Sequence, residues 1–172
     1  MRKSNTGLLL RAPCIMRYHT VAPFVKSQTL AEHVYNMLAI VEILKERTFL
    51  NSDFQNYIGT PELTTLIMKH DMLEAVYGDT PKTVSQPPKG CPLENAENKN
   101  LVKLVKWIDI VEFLYHIRAY STDKDRTEAI FFNVRDVLGK ADTIGVLLPE
   151  AYTVEVVKFL EDELLRGVSC AL

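Results

Sequence analysis

Apolar positions recur at helical spacing in three long stretches of the chain, and each stretch opens or closes on its own signal. In the first, Val34, Met37, Leu38, Val41 and Leu44 follow the segment TLAE, whose Thr29 and Glu32 have the spacing of a capping box. This predicts a helix from Leu30 to about Phe49. A second start lies at TPEL, where Thr60 can cap and Pro61 takes the first helical position, which proline tolerates best. That helix is predicted to run to about Tyr77, before Gly78. The third, KNLVKLVKWIDIVEFLYHIRAY, predicts a long helix from about Asn100 to Tyr120, with further helices near 123–138 and 149–166.

Between these elements the text is of other kinds. Residues 1 to about 27 carry Pro13 and Pro23 and read as an irregular leading segment. From Thr80 to Asn98, four prolines and a glycine exclude a helix interior or a central strand, which leaves a loop long enough to be functional. No alternating strand pattern and no repeat is present. The predicted class is all-α, a single helical bundle of about five to seven helices over residues 1–172, with its core within about 17–118 and C-terminal helices within about 123–168.

The apolar stripes are interrupted by the wrong residues. Following the second helix from Leu63, one stripe takes in Ile67, His70, Glu74 and Tyr77, with Asp71 about 100° round from His70. In the first helix His33 shares a stripe with Leu30, Met37 and Ile40, and in the third Asp109 lies on the line Val102, Val105, Phe113. A buried carboxylate is costly unless it is paired or binds a metal, so several such groups on inner helix faces call for a common partner. Two imidazoles with two carboxylates suit a divalent cation such as Mn²⁺, Fe²⁺, Co²⁺, Ni²⁺ or Zn²⁺. One histidine on an apolar face, taken alone, reads more simply as a hydrogen-bonded core residue. Four candidates on three helices favour the cation.

Composition narrows the setting. A chain of 172 residues with 47% hydrophobic and 24% charged residues is of soluble globular make-up and can bury a sizeable core. With 20 basic against 22 acidic residues no global field favours a nucleic acid polymer or an anionic membrane, so an anionic ligand must be held by local lysines and arginines. Cys14, Cys91 and Cys170 form neither a C-x-x-C pair nor an even set, as expected of a reducing, cytoplasmic compartment. The run Leu8 to Leu10 is too short for a signal-peptide core, and no apolar run suffices to span a membrane.

With His33, the pair His70 and Asp71, and Asp109 in place, the chain resembles the compact HD-domain phosphohydrolases, whose pattern is H…HD…D. Around these residues, Arg17 and Tyr18 resemble the Arg-Trp of the small bacterial (YfbR-like) 5'-deoxynucleotidases. AEH ending at His33 is similar to their SEH, HDMLEAVYGDTP to their HDxxExxxGDxP, and LVKWID to their LVKxAD. The resemblance runs from about Arg17 to Arg118. It implies an HD-domain bundle in which His33, His70, Asp71 and Asp109 hold a divalent metal (Co, Mn, Zn, Fe, Ni or Mg). It further implies Glu74 as acid/base, Asp79 on substrate or its attacking water, and Arg17 and Lys106 on phosphate or sugar.

The chain departs from that pattern in having Tyr18 where the family has tryptophan, and one more residue between Arg17 and His33. Lys82 in GDTPKTV resembles the extra phosphate-tail lysine of the phage-type (DatZ-like) dATP triphosphohydrolases. Tyr18, His19 and Thr20 are the candidates for the sugar and base pocket. Plainer readings stand beside these: Lys82 and Lys106 as solvated lysines, Glu74 as a lysine's partner, Arg17 as a helix-end cap, and Tyr18 as core packing.

The resemblance thus implies an enzyme acting on a small deoxynucleotide substrate, favouring release of triphosphate from a dNTP. Release of phosphate from a dNMP is the alternative. Hydrolysis of a signalling nucleotide, or a non-catalytic metal-stabilised nucleotide-binding module, are more distant readings. A homo-oligomer, either a dimer or a trimer of dimers, is also expected from the resemblance.

Overall fold

The structure is a computed structural model, and it describes residues 26–46, 56–71 and 97–125 together with Pro13, Met16, Arg17, Glu128, Lys158 and Asp162. Three helices dominate the described residues: α1 (Leu30–Glu46), α2 (Pro61–Lys69) and α3 (Lys99–Tyr120). Lys124, Asp125, Glu128, Lys158 and Asp162 are also helical, within the two C-terminal helices expected. The all-α expectation holds.

The caps act as their sequences predict. Thr29 Oγ1 accepts the Glu32 backbone N–H at 3.1 Å, while Glu32 Oε2 accepts the Thr29 backbone N–H at 2.7 Å and its hydroxyl at 2.9 Å. The Thr29 backbone N–H, and then its hydroxyl, hold the Glu32 carboxyl below its usual range. A depressed folded-state pKa means that this contribution is present above about pH 4.3 and is lost as pH falls through the folded value. Thr29→Ala is expected to cost about 1 kcal/mol, read in a thermal melt as a fall of roughly 2–4 °C. An unchanged melting temperature would show that the box does not hold the start of α1.

Thr60 caps α2 by accepting the Leu63 N–H at 3.2 Å, with Pro61 at the first turn as expected. Gly59, just before it, has φ +78°, the left-handed conformation that favours glycine, while a Cβ there would meet only the movable end of the Lys45 side chain. Asn98 Oδ1 caps α3 by accepting from Asn100 and Leu101.

All three helices pack against one another. Their seam buries Met37, Ile40, Val41 and Leu44 from α1, Leu63 and Ile67 from α2, and Leu101, Leu104, Val105, Trp107, Ile108, Val111 and Leu114 from α3. Trp107 is therefore part of the core.

Two expectations are corrected. A short antiparallel ribbon, β1 (Met16–Arg17) with β2 (Gln28–Thr29), pairs Met16 with Thr29 and Arg17 with Gln28 where the sequence predicted only irregular chain. Strands of two residues are too short to show any alternation. Further, α2 ends at Lys69 with His70 as its C-cap and Asp71 in a turn, short of the predicted Tyr77, and residues 72–77 of that prediction lie outside the described residues. The His70 imidazole explains the stop, since its Nδ1–H donates to the Ile67 carbonyl at 2.6 Å. That carbonyl is the acceptor that the Asp71 backbone N–H would use in a continued helix. Residues 72–96, including the predicted loop, lie outside the described residues.

Candidate metal centre

The helix seam delivers four polar side chains to one point. His33 sits in the first turn of α1 and is fully buried among Leu30, Met37 and Ile40, the stripe read from the sequence. His70 and Asp71 come from the end of α2, and Asp109 from the middle of α3. One ligand atom from each of the four lies within 4.8 Å of the others.

Separations within the group are those of a shared ligand sphere. His33 Nε2 lies 3.3 Å from His70 Nε2, 3.6 Å from Asp71 Oδ2 and 3.3 Å from Asp109 Oδ1, and His70 Nε2 lies 3.0 Å from Asp71 Oδ2. Ligands about 2.1 Å from one ion stand roughly 3.0–3.4 Å apart at the edges of an octahedron or a tetrahedron. The two imidazoles make a buried floor, while the Asp71 and Asp109 side chains are 19% and 22% exposed and form a rim toward solvent.

Both imidazoles are set with Nε2 toward the cluster. Nδ1–H of His33 donates to Glu112 Oε2 at 2.7 Å, and Nδ1–H of His70 to the Ile67 carbonyl, which leaves each Nε2 lone pair to the interior of the group. Two lone pairs facing each other at 3.3 Å repel unless a proton or a cation lies between them. The donor set, two imidazole nitrogens and two carboxylate oxygens, fits a borderline divalent ion.

In the metal-free protein the neighbouring carboxylates favour a proton on His70. Burial opposes charge on His70, but the Asp71 carboxylate, by attraction and by hydrogen bonding, and then Asp109 outweigh it, so the His70 pKa is raised. A raised folded-state pKa gives stability that is fully present below about pH 6.5 and is lost as pH rises through the folded value. A cation needs the neutral ring. The gain in melting temperature on adding Zn²⁺ is therefore expected to be small below about pH 6.5 and to widen toward pH 8. Paired thermal melts across that range check it, and a gain independent of pH would count against proton–metal competition at His70.

Glu112 escaped the sequence reading. It is fully buried on α3, three residues after Asp109, and its carboxylate accepts from His33 Nδ1, from Gln28 Nε2 at 2.7 Å and from Asn36 Nδ2 at 3.0 Å. Burial pushes its pKa up, but the hydrogen bond and attraction of His33, then Gln28 and Asn36, more than reverse this, so it stays ionised. The available signal was its place on the buried line Val105, Ile108, Glu112, where an acidic residue is as anomalous as at Asp109.

Other predicted site residues are placed as follows. Arg17 lies in β1 opposite Gln28, with only its backbone described. Lys106 is on α3 one turn before Asp109 and is exposed. Tyr18, Thr20, Glu74, Asp79 and Lys82 lie outside the described residues. Among the described residues no helix is long and apolar enough to cross a membrane.

Among solved structures the chain is similar to the cyanophage S-2L HD phosphohydrolase DatZ bound to dA and one catalytic Zn²⁺ ion. The TM-score is 0.63 at 16% sequence identity, over 97% of this chain and 99% of that one. The likeness shows the fold, that of an HD phosphohydrolase. No family model and no curated protein sequence matches the chain.

Proposed function

We propose that the chain is a metal-dependent phosphohydrolase that acts on 2'-deoxynucleotides, most favourably a dNTP of the dATP type, to give the deoxynucleoside and triphosphate. The observation that carries this reading is the convergence of His33, His70, Asp71 and Asp109, from three helices, on one point of an HD-phosphohydrolase fold. The similar structure, bound to a deoxyadenosine and one catalytic Zn²⁺, supports both the substrate class and the metal.

His33 and His70 through Nε2, and Asp71 and Asp109 through carboxylate oxygens, hold the cation. When bound, it supplies Lewis acidity at a phosphoryl oxygen and at the attacking water. The remaining work falls to side chains. Glu74 donates a proton to the 5'-oxygen as its bond to phosphorus breaks, which is general acid catalysis. Asp79 orients the water, and Arg17, Lys82 and Lys106 neutralise the phosphate oxygens, arginine with a fork that fits them bidentately. Tyr18 and Thr20 line the sugar and base pocket. Water adds to phosphorus and the deoxynucleoside leaves with the proton, so no covalent enzyme intermediate is needed.

The frame HDMLEAVYGDTP favours a second reading within the same chemistry, a 5'-deoxynucleotidase that releases phosphate from dNMPs. Incubation with Co²⁺, Mn²⁺ or Mg²⁺ and each deoxynucleoside mono- and triphosphate, with ion chromatography of the inorganic product, decides between them. Triphosphate from a dNTP supports the main reading, orthophosphate from dNMPs alone supports the second, and neither product from any substrate would sink both.

A further inference from the structure

We infer that Glu112 is a positioning residue of the metal centre: it fixes His33 with the proton on Nδ1 and Nε2 toward the cluster, and it ties that ligand to the ribbon carrying Arg17. The inference rests on the metal reading of the four-residue cluster and deepens it.

Three N–H donors from two other elements converge on this one carboxylate. Oε2 receives His33 Nδ1–H at 2.7 Å, and Oε1 receives Gln28 Nε2–H at 2.7 Å and Asn36 Nδ2–H at 3.0 Å. Glu112 and His33 are wholly buried and Gln28 is 2% exposed, so the bonds from His33 and Gln28 form away from bulk water, where an unmatched donor is expensive, while Asn36 is half-buried.

A carboxylate is the side chain that fits, because both of its oxygens only accept. Glutamine in its place has one acceptor oxygen and one NH₂. Turned toward His33, the NH₂ opposes the imidazole N–H; turned away, it opposes the amide donors of Gln28 and Asn36. Aspartate is one methylene short of the same three partners.

The bond to His33 governs the ligand. An imidazole whose Nδ1–H is held by an anion cannot present Nδ1 to a cation, its ring rotation is restrained, and its Nε2 becomes more basic. Nothing in simple core packing requires the carboxylate to meet the ring nitrogen opposite the one that faces His70, Asp71 and Asp109. The second arm runs through Gln28, whose backbone pairs in register with Arg17. Glu112 therefore stands between the metal ligand on α1 and the strand that sets the height of Arg17.

Isothermal titration of the 172-residue chain with Co²⁺ tests this, together with steady-state kinetics at saturating Co²⁺. Glu112→Gln is expected to bind Co²⁺ about 10–100-fold more weakly than the parent. Gln28→Met, which leaves the His33 bond in place, is expected to keep the parental Co²⁺ affinity and to raise KM for the nucleotide.

Parental Co²⁺ affinity in Glu112→Gln overturns the inference. Parental KM in Gln28→Met removes its ribbon half. A parent that binds no Co²⁺ sinks the metal reading itself, so the two failures are distinguishable. Should Glu112→Gln not fold, nitrogen-15 NMR of the Zn²⁺-loaded parent decides. A proton on His33 Nδ1 with metal on Nε2 supports the inference, and metal on Nδ1 overturns it.

Discussion

Stripping divalent ions from the protein with a chelator is expected to lower its melting temperature by about 8–16 °C. An ion present at a thousand times its dissociation constant stabilises the folded state by about 4 kcal/mol, and each kcal/mol is worth roughly 2–4 °C for a chain of this size. The cause is local. Without a cation, His33 Nε2 and His70 Nε2 face each other at 3.3 Å with the Asp71 and Asp109 carboxylates beside them. His70→Ala should melt at the same temperature with and without chelator, because the site that senses the ion is gone. A parent protein indifferent to chelator would mean that hydrogen bonds alone hold these four residues together.

The second large effect is expected at Glu74. Glu74→Gln should reduce turnover by about 10²–10⁴-fold, the range for losing a positioned proton donor. Metal content and melting temperature should stay parental, since the four ligands are untouched. Near-parental turnover would remove Glu74 from the chemistry. If the parent binds metal and nucleotide yet neither chain turns over, the protein is a metal-stabilised binding module.

How much of this was legible in the sequence depended on whether a feature had a period. The stripe through Leu30, His33, Met37 and Ile40 has one, and all four residues are buried as it required. Thr29 and Thr60 were legible because a cap is a local event, settled by a hydroxyl and a backbone N–H three residues away. The end of α2 was not. Its apolar pattern runs on through Glu74 and Tyr77, and the signal that stops the ladder at Lys69 is a side-chain bond from His70 to the Ile67 carbonyl.

Glu112 shows a different limit. The sequence drew attention to Asp109 on the line from Val105 to Phe113, yet in the fold Asp109 stands at the rim and the deeply buried acid is its neighbour one turn on. Spacing identifies a face of a helix. Which of two adjacent carboxylates reaches the cluster and which one braces a ligand depends on how α1 and β2 approach α3. The ribbon of Met16–Arg17 with Gln28–Thr29 was hidden for a related reason, since two-residue strands are fixed by what they pair with.

The central claim is that this four-residue cluster holds the cation on which deoxynucleotide hydrolysis depends. It is tested most directly by titrating the metal-free chain with Co²⁺ while following both bound metal and dNTP hydrolysis. Hydrolysis is expected to rise with bound metal, to level off at one ion per chain, and to be absent along with the ion in His70→Ala. Hydrolysis that proceeds without metal, or a His70→Ala chain that binds and turns over like the parent, would contradict it.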